Sequence, residues 1–183
     1  MIAGILIPGL RYDVQSTLLD LGWEALTDRK AHLEEVAWTG PDGLTDLDPE
    51  PFVRIHVEAA LLRAGRAAPR ATPVLIGKSL GTYAARLAAE RELPAVWLTP
   101  LLHVEAVAAA IARNPAPQLL IGGTGDLSWN TATARATGKD VLVIDDANHA
   151  LRPPGPLRVF TDALGTIGTA IEDFLDARKL TPR

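Results

Sequence analysis

Six short apolar runs recur along the chain, at residues 2–7, 33–38, 72–76, 95–99, 118–122 and 140–144. Each is rich in Val, Ile, Leu or Trp, and together they read as apolar on both faces. A strand with one wet face alternates with period two, whereas a strand covered on both faces need not. The runs therefore predict the strands of a parallel sheet buried between layers. Between them the spacing turns helical. Residues 14–30 set Leu18, Leu19, Leu21, Trp23 and Leu26 among polar positions. Pro51 opens a second stretch carrying Phe52, Val53, Ile55, Val57, Ala60 and Leu61, and proline is tolerated in a first helical turn. Residues 80–92 and 103–113 are rich in Ala, a strong helix former. A weaker helix is expected over 128–136 and a long one over 157–178.

Strand and helix thus alternate about six times. That order predicts an α/β fold with a mostly parallel six-stranded sheet and helices on both faces. Residues 39–50 are acidic and full of turn formers, so they predict a surface loop. This loop is too short to separate domains, and residues 1–183 are expected to form one domain.

Composition narrows the function classes. The net charge is -4 and no basic run stands out, which argues against a nucleic-acid or membrane partner. The chain has no cysteine, which excludes disulfides, thiolate metal sites and a cysteine nucleophile, and fits a cytoplasmic protein. The apolar start lacks the basic flank and length of a signal peptide. The four histidines lack metal-ligand spacing, so no metal is expected. Gly4 and Gly9 do not fit a dinucleotide fingerprint and no phosphate loop is present, so no cofactor is expected either.

The chemistry concentrates in residues 73–86. Here Gly77, Ser79 and Gly81 form a Gly-x-Ser-x-Gly pattern between a buried strand and a helical stretch. A nucleophile elbow needs that setting: the serine projects from a tight, strained turn, and small neighbours let strand and helix approach. The helix N-terminus beneath it favours negative charge. The plainer reading is a serine that caps a helix in a glycine-bounded turn.

At these residues the chain resembles the α/β-hydrolase family, and most closely its compact bacterial members, which lack the first two strands of the full fold and carry no lid. The resemblance runs from Ile5 to Phe174 and implies a triad in the chain order Ser, acid, His. The base it implies is His149, just past the last strand, where strand C-termini meet. His32 and His56 lie at the wrong end of a strand and within a helix, and His103 follows a strand end. The acid it implies is Asp126, after the 118–122 strand, which would also serve as a helix N-cap near Leu127. Asp145 and Asp146 are rivals, more suited by their closeness to His149 to forming its turn.

The same resemblance implies an oxyanion hole from the backbone N–H groups of Leu80 and Leu10. Pro8 stands where many relatives have His, so the turn around Gly9 and Leu10 is supported differently. Strand-end position makes Arg11, Tyr12, Trp129 and Leu101 the expected substrate-binding residues. Lys78 is either a pocket cation or a solvated side chain. Only about a dozen residues follow the 95–99 strand where larger relatives insert a lid, which suggests an open site for small acyl groups. The expectation is a serine esterase acting on a small-molecule ester or acyl substrate. A lyase or acyl transferase on the same triad, or an interaction protein with a vestigial site, are the alternatives.

Overall fold

The structure is a computed structural model that describes residues 1–39, 43–44 and 47–177. Six parallel strands form one open sheet: β1 (Ile2–Ile7), β2 (His32–Glu35), β3 (Thr72–Lys78), β4 (Ala95–Leu98), β5 (Gln118–Gly123) and β6 (Asp140–Ile144). Their order across the sheet is β2-β1-β3-β4-β5-β6. The helices are α1 (Thr17–Asp28), α2 (Glu50–Ala67), α3 (Ala85–Glu90), α4 (Glu105–Arg113), α5 (Thr131–Ala136) and α6 (Leu157–Asp176). The chain winds outward from β1 to β2, then returns to β3 and continues the other way. The reversal places a crevice at the strand C-termini between β1 and β3, where open α/β sheets bind their ligands.

Each face of the sheet buries its own core. Leu18, Leu19 and Leu26 of α1 join Ile167, Ile171 and Phe174 of α6 over Leu6, Ile76 and Leu98. On the other face Val53 and Val57 of α2, Leu87 of α3 and Val107 and Ile111 of α4 cover Ile5, Leu75 and Trp97. The central strands β1, β3, β4 and β5 are apolar on both faces for this reason.

The two edges depart from the sequence reading. β2 ends at Glu35, not at residue 38, and carries His32 and Glu34, which pair 2.9 Å apart. It is an edge strand, so one row of its backbone groups and part of its side chains meet water. Arg63 of α2 reaches Glu34 at 2.6 Å and tethers that edge. In β6, Val141, Leu142 and Val143 are only half-buried. The helix expected over 128–136 is confined to α5. Of the acidic loop expected over 39–50, residues 40–42 and 45–46 lie outside the described residues, as does residue 178 of the last expected helix. No helix among the described residues is long and apolar enough to cross a membrane.

Candidate active site

Strand β3 delivers Ser79 to the crevice. Ser79 has φ 50°, a left-handed conformation that costs a residue with a Cβ. The helix expected from Leu80 begins instead as a 3-10 turn over Ser79–Ala84 and becomes α-helical only at α3. Two glycines make this sharp turn sterically feasible. A Cβ on Gly77 would lie 2.7 Å from the Trp97 ring on β4, and one on Gly81 would lie 2.7 Å from the carbonyl oxygen of Ile7. Thr82, fully buried, holds the turn from within: its hydroxyl donates to Ser79 O at 2.7 Å and accepts from Leu101 N at 3.3 Å.

Strands β5 and β6 deliver the partners. The loop after β5 is laid directly on the loop after β6. Thr124 N donates to Ile144 O at 3.2 Å, Gly125 N donates to Ala147 O at 3.0 Å, and Asp146 N donates to Thr124 Oγ1 at 2.7 Å. Side chains at Gly123 and Gly125 would collide with the backbone of Ala147 and Asp146. Asp126 is buried at the end of this loop. Its Oδ1 accepts from Ser128 N at 2.9 Å, and its Oδ2 lies 2.7 Å from His149 Nδ1. The local turn bond and the histidine contact thus fall to different oxygens. Asp126 does not cap a helix at Leu127; α5 begins later, with Asn130 accepting from Thr133 N. Asp145 and Asp146 are exposed, and Asp146 sits in the turn with φ 54°.

His149 is presented by a loop that Asn148 organises. Asn148 Oδ1 accepts from Ala150 N at 2.9 Å and from Arg152 N at 3.3 Å, and Leu151, fully buried at φ 51°, anchors the loop in the core. His149 Nε2 lies 2.8 Å from Ser79 Oγ. A carboxylate only accepts, so the proton between Asp126 and His149 belongs to Nδ1. The neutral ring is then an acceptor at Nε2, aimed at the Ser79 hydroxyl. Such a relay can withdraw the serine proton and return it to a leaving group.

The backbone around Ser79 supplies donors. The N–H of Leu80, in the first 3-10 turn, has no intrahelical partner. Gly81 abuts Ile7 and Pro8, and Gly9 abuts Lys78, so the loop after β1 lies beside the elbow. Neither Leu80 N–H nor Leu10 N–H donates to a partner among the described residues.

The residues expected around the pocket separate into two groups. Arg11 and Tyr12 line a cavity of about 300 Å³ together with Leu10, Val36 and Trp38. Arg11 is exposed; Tyr12 is half-buried and its hydroxyl accepts from Leu18 N at 2.7 Å, so it also caps the approach to α1. Burial is the main cause that raises the Tyr12 pKa. Leu101 is half-buried and tied to Thr82. Trp129 corrects the expectation. It is buried in the core against Gly122, whose missing side chain makes room for the indole, and its Nε1 donates to Thr131 Oγ1 at 2.8 Å. Lys78 is not the solvated side chain of one reading. It is 5% exposed, and its Nζ stands 4.7 Å from the centroid of the Tyr12 ring. Burial lowers its pKa to about 8, opposed by the charge of Asp126. Thr82, Asn148 and Trp38 were not anticipated as site residues. Asn148 carried a signal, standing beside His149 in a turn-forming run.

No model of a known protein family matches the sequence, and no curated protein matches it. Solved structures share the fold. An alpha-beta serine hydrolase homologue from Coxiella burnetii superposes with a TM-score of 0.72 at 15% identity, covering 95% of this chain and 85% of that one. An a/b serine hydrolase without lid from Xanthomonas campestris gives 0.68 at 18% identity over 99% of this chain and 84% of that one. Est1E from Butyrivibrio proteoclasticus, with ferulic acid bound, gives 0.69 at 12% identity over 96% and 88%. The fold is that of the lidless α/β hydrolases.

Proposed function

We propose that this single domain is a serine hydrolase that cleaves a small ester through an acyl-enzyme. Ser79 is the nucleophile, His149 the general base and acid, and Asp126 the acid that orients the imidazole. One observation carries the reading: a strained Ser79, at φ 50°, stands 2.8 Å from an imidazole whose other nitrogen is 2.7 Å from a buried carboxylate. A serine capping a turn needs no such chain of partners.

In the reaction, His149 Nε2 takes the Ser79 proton as Oγ attacks the ester carbonyl. The C=O oxygen becomes an oxyanion, which the N–H groups of Leu80 and Leu10 stabilise. The imidazolium gives its proton to the leaving alkoxide, the alcohol departs, and Ser79 is acylated. Water, deprotonated by the same imidazole, attacks the acyl group; the oxyanion collapses, the bond to Ser79 Oγ breaks as the imidazolium returns the proton to Oγ, and the acid leaves. The adjoining cavity of about 300 Å³, at the low end of ligand pockets, favours a small acyl or alcohol group.

Labelling with a fluorophosphonate, read by intact mass and peptide mapping, tests the reading. The expected result is one adduct on Ser79, absent in Ser79→Ala and slowed by orders of magnitude in His149→Ala. A folded wild type that takes no adduct and hydrolyses no small ester overturns it. An adduct without ester hydrolysis would point to a non-hydrolytic acyl chemistry on the same triad.

A further inference from the structure

Beyond the end of β2, the Trp38 side chain reaches the loop that follows β1. Its Nε1 donates to Gly9 O at 3.1 Å. The other polar group of Gly9 is also committed, since its N–H donates to Tyr12 O at 2.9 Å. No described peptide bond is cis. A trans peptide points its C=O and the following N–H in opposite directions within one plane. Whatever fixes the Gly9 carbonyl therefore fixes the Leu10 N–H, and aims it away from Trp38.

We propose that Trp38 is a positioning residue for the oxyanion hole, holding the Gly9–Leu10 peptide in the plane that presents the Leu10 N–H. The inference rests on the reading of Ser79 as nucleophile and Leu10 as donor. Within the loop Gly9 is bridged to Tyr12, three residues on, and the Trp38 indole adds a side-chain donor to the Gly9 carbonyl from outside the loop. The indole is itself held firmly. Its ring lies 5.6 Å from Phe52 and 5.7 Å from His56, centroid to centroid. Phe52 and His56 are themselves 4.5 Å apart, and His56 Nδ1 lies 2.7 Å from Phe52 O. Both stand on α2, which is fixed in the core by the fully buried Val53 and Val57. The brace thus runs from a packed helix, through an aromatic cluster, to one carbonyl.

The test replaces Trp38 with its benzothienyl isostere, which puts sulfur in place of N–H at nearly constant shape, and in parallel makes Trp38→Phe. The substrate is p-nitrophenyl acetate and the transition-state mimic is a trifluoromethyl ketone. Losing an oxyanion donor outright costs a factor of about 100 to 1,000, so loosening one should lower kcat by about tenfold. KM should stay within about twofold, the thermal midpoint should not move, and affinity for the ketone should fall with kcat/KM. A raised KM at constant kcat would make Trp38 a substrate contact and overturn the proposal. A lowered midpoint with unchanged kcat would make it packing alone and overturn it equally. Ser79→Ala in the same assay separates the two levels. If wild-type turnover survives Ser79→Ala, the underlying reading fails; if it does not, and the isostere runs like wild type, only the role of Trp38 fails.

Discussion

Gly81 lies against Ile7: a Cβ on the glycine would sit 2.7 Å from the Ile7 carbonyl oxygen and 2.9 Å from that of Pro8. Gly81 is not in the left-handed region, so its value here is the closeness it allows rather than an unusual φ. This approach brings the turn after β3 beside the loop after β1. Gly81→Ala should therefore push the two apart, with a loss of about 1–3 kcal/mol of stability. The fall in kcat/KM should exceed what the lost stability explains, because the Leu80 and Leu10 donors separate. Urea unfolding and steady-state kinetics on the same preparation check both.

Asp126→Asn should be nearly silent for stability and severe for turnover. The amide oxygen can still accept from Ser128 N. The amide NH2 facing His149 would favour the wrong tautomer, with the ring proton at Nε2. A fall in kcat of the order of 10³–10⁴ is expected, with KM little changed. A fall of less than tenfold would show that Asp126 does not orient the imidazole.

Lys78→Met should gain stability at neutral pH and lose that gain in alkali. In the folded state the Lys78 pKa is lowered to about 8 from its ordinary 10.5, chiefly by burial. The folded form therefore releases a proton that the unfolded form keeps between those values. There the unfolded state binds more protons, so wild-type stability rises with pH; below about 8 the cost of the buried ammonium is present in full. That cost is of the order of 3 kcal/mol, offset in part by the attraction of the ammonium to the Tyr12 ring. The difference between the variant and wild type, from urea midpoints at pH 7, 9 and 10.5, should shrink as pH rises.

Trp129→Ala should cost about 3–5 kcal/mol, as for other large buried aromatics, and leave KM within about twofold. A large change in KM with intact stability would instead return Trp129 to the pocket rim.

Much of this was legible in the chain. The βα alternation and the strand-to-helix turn at Gly77, Ser79 and Gly81 are local signals, carried by apolar runs and turn residues a few positions apart; Asp126 and His149 come only from the family resemblance that this turn carries. The misread or undecided parts depend on partners that no local pattern names. Lys78 stays open between a pocket cation and a solvated side chain until Gly9 and Tyr12 close over it. Trp129 looks like a rim residue until Gly122, seven positions earlier, opens space for its ring. The edge strand β2 reads as 33–38 because Val36 and Trp38, which lie beyond its end at Glu35, prolong the apolar run, whereas β6 spans the expected 140–144. Trp38 bears on the site through one hydrogen bond to a backbone 29 positions away, and no local pattern encodes that.

Ser79, Thr99, Asp146 and Leu151 all have positive φ, at 50°, 46°, 54° and 51°, and all follow strands at the same edge of the sheet. Thr99 is the most costly of them in type, β-branched and fully buried, with its Oγ1 unpartnered among the described residues. Strained non-glycine residues each withhold roughly 1–3 kcal/mol from the folded state. Heat resistance and turnover are thereby set against each other along one rim. A population of variants screened only for survival at high temperature would drift toward glycine at Ser79 and at the exposed Asp146, but not at the fully buried Leu151, where the lost packing outweighs the strain relieved, and the change at Ser79 would leave them sturdier and inert.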